Sequence, residues 1–210
     1  MQPPYVGASV TRSAPETTPS WSVRWGRLVQ EKGYTELFEA WEVLRRAHPA
    51  AMLVIAGPTD AAKADALPEG TIETAQHSGV RFLGMRDDVE DLYLGFDLYV
   101  LASHREGFPR SAMEAAASGL PIVATDIRGC RQVVDHDRNG LLVPVRSARA
   151  LEAAIARLVG DAGLRQDMAE AAVTKAREDF DQQRVIERTL ATYARLLVAT
   201  GTTPPQPVSS

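Results

Sequence analysis

Two acidic residues stand eight positions apart in a stretch of mainly small and apolar residues, EGFPRSAMEAAASG. Glu106 comes three residues before Pro109, and Glu114 lies among Met113 and three alanines. Charged groups are rarely placed in such surroundings without a partner. Glu114 can pair with Arg110 at i, i+4, but with the arginine first this is the weaker orientation. A carboxylate that accepts hydrogen bonds from a diol, such as that of a ribose, explains the apolar surroundings better.

The same stretch predicts a helix that begins at Pro109, because proline suits the first helical position. The backbone amides around Phe108 to Ser111 then face whatever lies beyond the preceding strand. Small residues (Ala112, Ala115, Ala116 and Gly119) predict that this helix packs closely on a sheet.

A second candidate segment is GRLVQEKG, residues 26–33, which follows one predicted strand and opens a helix. Gly26 and Gly33 permit close backbone approach, and Arg27 and Lys32 place two cations beside a helix N-terminus. This arrangement attracts a phosphate through the helix dipole and through direct charge. The segment matches neither the P-loop nor the GxGxxG pattern. An ordinary turn with solvated charges explains it equally well.

The elements that must position these residues alternate between strand-length apolar runs and helical patterns. Strands are predicted at 22–28, 52–57, 80–84, 97–103, 121–126 and 140–144, and helices at 34–49, 88–95, 110–118, 129–135, 147–160, 163–179 and 182–199. The strand runs are apolar throughout, which indicates strands buried on both faces of a parallel sheet. The predicted fold class is therefore α/β, a doubly wound, Rossmann-like parallel sheet with a helical C-terminal end. In such sheets the ligand lies at the carboxyl ends of the strands.

Composition sets further bounds on the 210-residue chain. Residues 1–20 and 201–210 are rich in Pro, Ser and Thr, so we expect a linker or partial interdomain segment, one folded domain at 21–200 and a disordered tail. The net charge of −4 argues against a nucleic-acid partner. A single cysteine and the lack of a long apolar run favour a cytoplasmic location, with a peripheral membrane contact left open.

Four ordered segments carry a resemblance to a known family: GRLVQEKG, DLYVLAS with the following Glu106-x7-Glu114, GLPIVATD and NGLLVP. Together they resemble the C-terminal, donor-binding domain of retaining GT-B glycosyltransferases of the family 4 type, over about residues 23–197. The resemblance implies a nucleotide-sugar donor and transfer of its sugar with retention of configuration. It also implies an N-terminal, acceptor-binding domain, for which this chain has no room. We therefore expect half of an enzyme, inactive in transfer alone, as a fragment or a subunit of a split enzyme.

The resemblance implies a role for each candidate residue. Glu106 would contact the hydroxyls of the donor sugar and Glu114 the ribose, while Arg27 and Lys32 would contact the diphosphate. Glu106, Arg27 and Lys32 are thus the predicted catalytic residues. The predicted donor-binding residues are Gly26, Gly33, Gly107, Phe108, Pro109, Arg110 and Glu114. A nucleotide-sugar-binding module without catalytic activity would keep the same nucleotide contacts and is the alternative function.

The segment TDIRGCRQVV, residues 125–134, is more particular. Much of the family has two glycines followed by a Glu where this chain has Arg128, Gly129 and Gln132. With Arg105 before Glu106, this version is similar to the branch that builds capsular and exopolysaccharide repeat units. The similarity implies a UDP-linked sugar, such as an N-acetylhexosamine, and a polyprenyl-linked acceptor.

Asp135-His136-Asp137 matches the Asp-x-Asp metal motif of a different glycosyltransferase fold. It precedes a polar turn, and arginine and lysine already serve the diphosphate, so we expect no metal cofactor. We expect Cys130 to be a small packed side chain and His104 to be structural.

Overall fold

The computed structural model describes residues 28–58 and 65–181, the backbone of residues 21–25, and a few helical positions between 186 and 195. The predicted terminal segments, Gly26, Arg27 and most of the predicted helix 182–199 lie outside the described residues. Three apolar residues of that segment, Ile186, Leu190 and Tyr193, are described, and their side chains are exposed.

The described residues form one sheet of six parallel strands in the order β3-β2-β1-β4-β5-β6. The elements in chain order are β1 (Trp21–Trp25), α1 (Tyr34–Ala47), β2 (Met52–Ala56), α2 (Thr71–His77), β3 (Arg81–Gly84), α3 (Val89–Leu94), β4 (Leu98–Leu101), α4 (Arg110–Ala117), β5 (Ile122–Thr125), α5 (Arg128–Arg131), β6 (Gly140–Val143), α6 (Ala148–Gly160) and α7 (Ala162–Lys175). A 3-10 turn, Gln30–Lys32, precedes α1, and a π-helical turn, Ala176–Phe180, extends α7. The predicted doubly wound α/β class is confirmed.

Helices cover both faces of the sheet. On one face, α1 and α6 pack over strand residues that include Ile55 and Val100. On the other face, α4 and α7 pack over residues that include Tyr99 and Ile122. Successive strand residues point to opposite faces. All four residues of β4 are buried, so this strand is covered on both sides, as its unbroken apolar run predicts.

The structure departs from the predicted elements at β3, α2 and α5. β3 was predicted to be buried on both faces but lies at the sheet edge, where Leu83 is exposed and only β2 pairs with it. α2 was not predicted, because TIETAQH has no clear apolar periodicity. α5 is a single turn rather than a helix over 129–135, since Val133 and Val134 are buried where the chain turns toward β6.

The strand order reverses between β1 and β4, which are adjacent in the sheet but not in the chain. Loops that leave neighbouring carboxyl ends in opposite directions open a crevice between them. Residues 26–33 follow β1 and residues 102–109 follow β4. The topology thus brings the two predicted segments to one crevice.

Candidate active site

The loops after β1 and β4 touch at Gly33. This residue ends the 3-10 turn, and its φ of 67° lies in the left-handed region, which favours glycine. A Cβ atom at this position would lie 2.0 Å from the carbonyl oxygen of Ala102. Only glycine therefore lets the loop before α1 lie against the end of β4.

The close approach of the loops joins Lys32 to Glu106. The Lys32 Nζ donates to Glu106 Oε1 at 2.6 Å, and the two side chains are only 18% and 15% exposed. Ser103 Oγ donates to the same oxygen at 2.7 Å, and Thr125 Oγ1 donates to the Ser103 carbonyl. Both bonds to the carboxylate use Oε1, while Oε2 accepts none from the described residues. The carboxylate is held firmly and keeps one oxygen for a ligand.

A cleft of about 630 Å³ opens beside this ion pair. Its walls combine both signs of charge, and they are formed by Glu31, Lys32, Arg105, Glu106, Gly107, Arg128 and Gln132. A space of this volume is within the range of small-ligand sites. Charged groups around a cleft at a strand-order reversal suit a polar ligand with anionic groups.

The wall formed by α5 is fixed to the loop that carries Glu106. A Cβ atom at Gly129 would lie 2.4 Å from the carbonyl oxygen of Glu106 and 2.7 Å from that of Gly107. The two backbones are therefore in direct contact, and a larger residue at 129 would push them apart. This contact sets the position of Arg128 and Gln132 relative to Glu106.

The N-terminus of α4 follows the cleft loop. Pro109 is the residue that caps α4, not the first helical residue as predicted, because its ψ of 94° is extended and the helix begins at Arg110. Pro109 is buried, whereas Phe108 is exposed. The ring of Phe108 meets that of Phe180 edge to face, with 5.9 Å between the ring centroids. The amides of Gly107 and Arg110 donate no hydrogen bond to another described residue. They are free to bind an anionic ligand.

Glu114 lies on α4, one turn beyond its start, and is partly buried. Burial raises the pKa of its carboxyl group above the ordinary value; the Arg110 charge and a hydrogen bond from Tyr93 lower it, and the Glu90 charge raises it. Glu114 does not line the cleft described above. The structure thus brings Lys32, Glu106 and Gly107 together and leaves Glu114 on α4, outside the lining of the cleft.

The other singled-out residues do not line the cleft. Asp135 binds Lys175 at 3.1 Å, and Asp137 binds Arg157 at 2.7 Å. Cys130 is fully buried. His104 Nε2 lies 2.9 Å from Glu36 Oε1, which links the loop after β4 to α1. Among the described residues, no three His, Cys, Asp or Glu side chains are grouped so that they could hold a metal ion.

Sequence reasoning did not place several cleft residues. Glu31 has no predicted role, and Ser103, which donates to Glu106 but does not line the cleft, is predicted only as the end of a strand. Arg105, Arg128 and Gln132 are predicted only as markers of a branch of the family. The signal that finds them is their place in the segments that follow the neighbouring strands β1, β4 and β5.

The fold and the cleft define a doubly wound α/β domain with the crevice at which nucleotide-binding sheets hold their ligands. Residues 12–175 match the model of the family described as glycosyl transferases group 1. The chain belongs to this family.

Relatives and solved structures agree with this assignment. The chain is 35% identical over 195 residues to the glycogen synthase of Mycobacterium tuberculosis, a match that covers 92% of the chain and 46% of the relative. It is 31% identical over 171 residues to the N,N'-diacetylbacillosaminyl-diphospho-undecaprenol alpha-1,3-N-acetylgalactosaminyltransferase of Campylobacter jejuni, over 81% of the chain and 43% of the relative. The chain thus spans less than half the length of these relatives.

Two structures show the same fold. The Anabaena protein HepE in complex with UDP superposes with a TM-score of 0.76 at 25% identity, over 85% of this chain and 49% of HepE. The C-terminal domain of LpcC from Francisella tularensis, of the same family, superposes with a TM-score of 0.70 at 24% identity, over 78% of this chain and 86% of that domain. In the part of the chain that the structure describes, no helix has the length and apolar character needed to cross a membrane.

Proposed function

We propose that this chain is the donor-binding half of a retaining glycosyltransferase. Its donor is a UDP-linked hexose or N-acetylhexosamine, and the acceptor is a glycan or a lipid-linked sugar of a capsular or exopolysaccharide type. The observation that carries the proposal is the Lys32–Glu106 pair, which lies beside an open cleft at the strand-order reversal. The UDP complex of HepE, which has the same fold, supports the choice of nucleotide.

Each half of the pair has a separate task. Lys32 provides a positive charge for the diphosphate, together with Arg27 of the same segment. Glu106 Oε2 accepts a hydrogen bond from a hydroxyl of the donor sugar, while Lys32 and Ser103 hold Oε1. Glu114 accepts hydrogen bonds from the ribose hydroxyls. These roles put the diphosphate nearest Lys32 and the sugar nearest Glu106 and Gly107.

Stabilising the leaving nucleoside diphosphate is the main electrostatic task of the reaction, because negative charge develops on it as the glycosidic bond breaks. Lys32, Arg27 and the amides at the start of α4 suit this task. In this assignment the Glu106 carboxylate accepts a hydrogen bond from a hydroxyl of the donor sugar and does not attack the anomeric carbon. We therefore propose that the acceptor attacks from the face that the diphosphate leaves, which retains the configuration.

Transfer needs an acceptor held in line with the anomeric carbon, and such positioning supplies roughly 7–11 kcal/mol of a barrier. We assign that work to an N-terminal GT-B domain. The chain alone is expected to bind UDP and to release sugar only by slow hydrolysis. A nucleotide-sugar-binding module without catalytic activity would bind UDP equally well, so binding does not separate the two functions.

The test has two stages. Calorimetric titration of UDP into the 210-residue chain measures donor binding, and no detectable binding would refute the proposed function. The chain is then incubated with UDP-sugars and lipid-linked acceptors, with and without an N-terminal GT-B domain as partner. Transfer only in the presence of the partner supports half of a catalyst. Transfer by the chain alone would mean that the acceptor site lies within these 210 residues.

A further inference from the structure

Arg128 is a cation of the cleft that no acid among the described residues neutralises. The two cleft acids are each bound to another cation: Glu106 to Lys32 at 2.6 Å and Glu31 to Arg105 at 3.3 Å. Arg128 is exposed, lines the same cleft and forms no ion pair with another described residue. Its positive charge is therefore available to a ligand.

The surroundings of Arg128 on α5 do not cancel this charge. Asp126, two residues earlier in the chain, is bound to Arg131 at 2.6 Å. The other cleft residue of this wall, Gln132, is neutral, and its amide lies 3.4 Å from the backbone oxygen of Arg128. The part of the cleft wall formed by α5 is thus net positive.

The position of Arg128 is tied to the sugar end of the cleft. The adjacent residue, Gly129, packs on the carbonyl oxygens of Glu106 and Gly107. In the proposed function, Glu106 contacts the donor sugar while Lys32 contacts the diphosphate. Arg128 therefore lies on the side where the sugar and the incoming acceptor meet.

We propose that Arg128 is a specificity-determining residue that binds an anionic group of a substrate other than the donor diphosphate. The group is a carboxylate or a phosphate, because a guanidinium binds both through paired hydrogen bonds. It belongs either to an acidic donor sugar or to a phosphorylated acceptor. This inference rests on the proposed function, since it assumes that the diphosphate is bound by Lys32.

The experiment compares the wild-type chain with Arg128→Gln, and with Arg105→Gln as the matched control. Both arginines line the same cleft, but Arg105 already has an acidic partner. Calorimetry measures the Kd of UDP, UDP-glucose and UDP-glucuronate in the first arm. In the second arm, with UDP saturating, it measures binding of geranyl diphosphate against geraniol. A wild-type chain that binds no UDP would refute the proposed function and this inference with it.

Arg128→Gln is expected to leave the Kd of UDP unchanged and to weaken one acidic probe by about 10- to 100-fold, the loss of a charge-assisted contact. The control is expected to change that binding much less. Loss confined to UDP-glucuronate identifies an acidic donor sugar, and loss confined to geranyl diphosphate identifies an acceptor phosphate. Equal loss for UDP itself, or no loss in either arm, would overturn the inference while UDP binding by the wild type leaves the proposed function intact.

Discussion

Ion pairs occur at both ends of the parallel sheet, but the two ends differ in how many carboxylate oxygens the ion pairs occupy. At the carboxyl end, Glu106 lines an open cleft and binds Lys32 through one oxygen, while its other oxygen accepts no hydrogen bond from a described residue. At the amino end, in the turn before β6, Asp135 binds Lys175 through both oxygens, each at 3.1 Å. Asp137 of that turn binds Arg157 at 2.7 Å.

The turn before β6 is also closed by its own hydrogen bonds. Asn139 is buried; its Oδ1 accepts from the Asp135 amide at 2.7 Å, and its Nδ2 donates to the Val133 carbonyl at 2.9 Å. Acids here are used to hold the chain, whereas the acid at the carboxyl end is held ready for a ligand. The spacing of the acids in the sequence does not distinguish these roles. Their place at one or the other end of the sheet does.

The largest effect is expected from Gly33→Ala, which attacks the contact between the β1 and β4 loops. The new Cβ would lie 2.0 Å from the Ala102 oxygen, at a left-handed backbone position. We expect the free energy of unfolding to fall by roughly 2–4 kcal/mol, measured by urea denaturation. The matched control is Gly107→Ala in the same cleft, where a Cβ meets no atom within 4 Å. An equal loss in both variants would contradict the role of Gly33.

Two similarly buried lysines, one at each end of the sheet, allow a direct comparison. Lys32 is 18% exposed and Lys175 is 15% exposed, and each binds an acid. Lys32→Met is expected to raise the Kd of UDP by about 10- to 100-fold. The substitution removes the positive charge that contacts the diphosphate and leaves Glu106 without its cationic partner. Lys175→Met is expected to cost about 1 kcal/mol of unfolding free energy and to leave the Kd of UDP unchanged. Calorimetry and denaturation on both variants measure these effects. Similar UDP affinities of the two variants would contradict the proposal that Lys32, and not Lys175, contacts the ligand.

Glu106 and Glu114 are expected to act on different parts of the donor. Glu106→Gln should leave UDP affinity nearly unchanged and weaken a UDP-sugar by about fivefold, the difference between a charged and a neutral hydrogen bond. Glu114→Gln should weaken UDP and the UDP-sugar by the same factor, since its partner is the ribose. Titrations of both ligands into both variants give the ratio of the two Kd values. Equal ratios in the two variants would contradict the assignment.

The sequence predicts much of this comparison but not its decisive contact. Apolar runs locate all six described strands to within a few residues. The pattern is strongest where a strand is buried on both faces, as in β4 and β5. The Lys32–Glu106 bond joins residues 74 positions apart. Its formation depends on β1 and β4 being neighbours, and the alternation of strands and helices does not state the strand order. The place of Arg128 at the cleft is not predicted for a related reason, since it depends on how α5 packs on the loop after β4.

Salt and chelator provide a gentler test of which end binds the ligand. If Lys32, Arg27 and the α4 amides bind the diphosphate, added salt should weaken UDP severalfold through screening. EDTA should have no effect, and neither should the double variant Asp135→Asn/Asp137→Asn. Calorimetry in metal-free buffer before and after EDTA makes the measurement. A different result would place the UDP site at the turn before β6. In that result, EDTA abolishes UDP binding, a divalent cation restores it, and the double variant does not bind UDP.

The smallest expected effect is a release of protons when UDP binds. Burial raises the pKa of Glu114 above its ordinary value of 4.5 in the folded chain. At a pH between the ordinary and the raised pKa, part of Glu114 is protonated when folded but ionised when unfolded, so stability falls as pH rises through this window. Ribose hydroxyls that donate to the ionised carboxylate would lower the pKa again. UDP binding should then release a fraction of a proton in this window.

Calorimetry in buffers of different ionisation enthalpy measures this release, and Glu114→Gln, which cannot ionise, should abolish it. If the Glu114→Gln variant releases the same number of protons as the wild type, Glu114 is not the group that contacts the ribose.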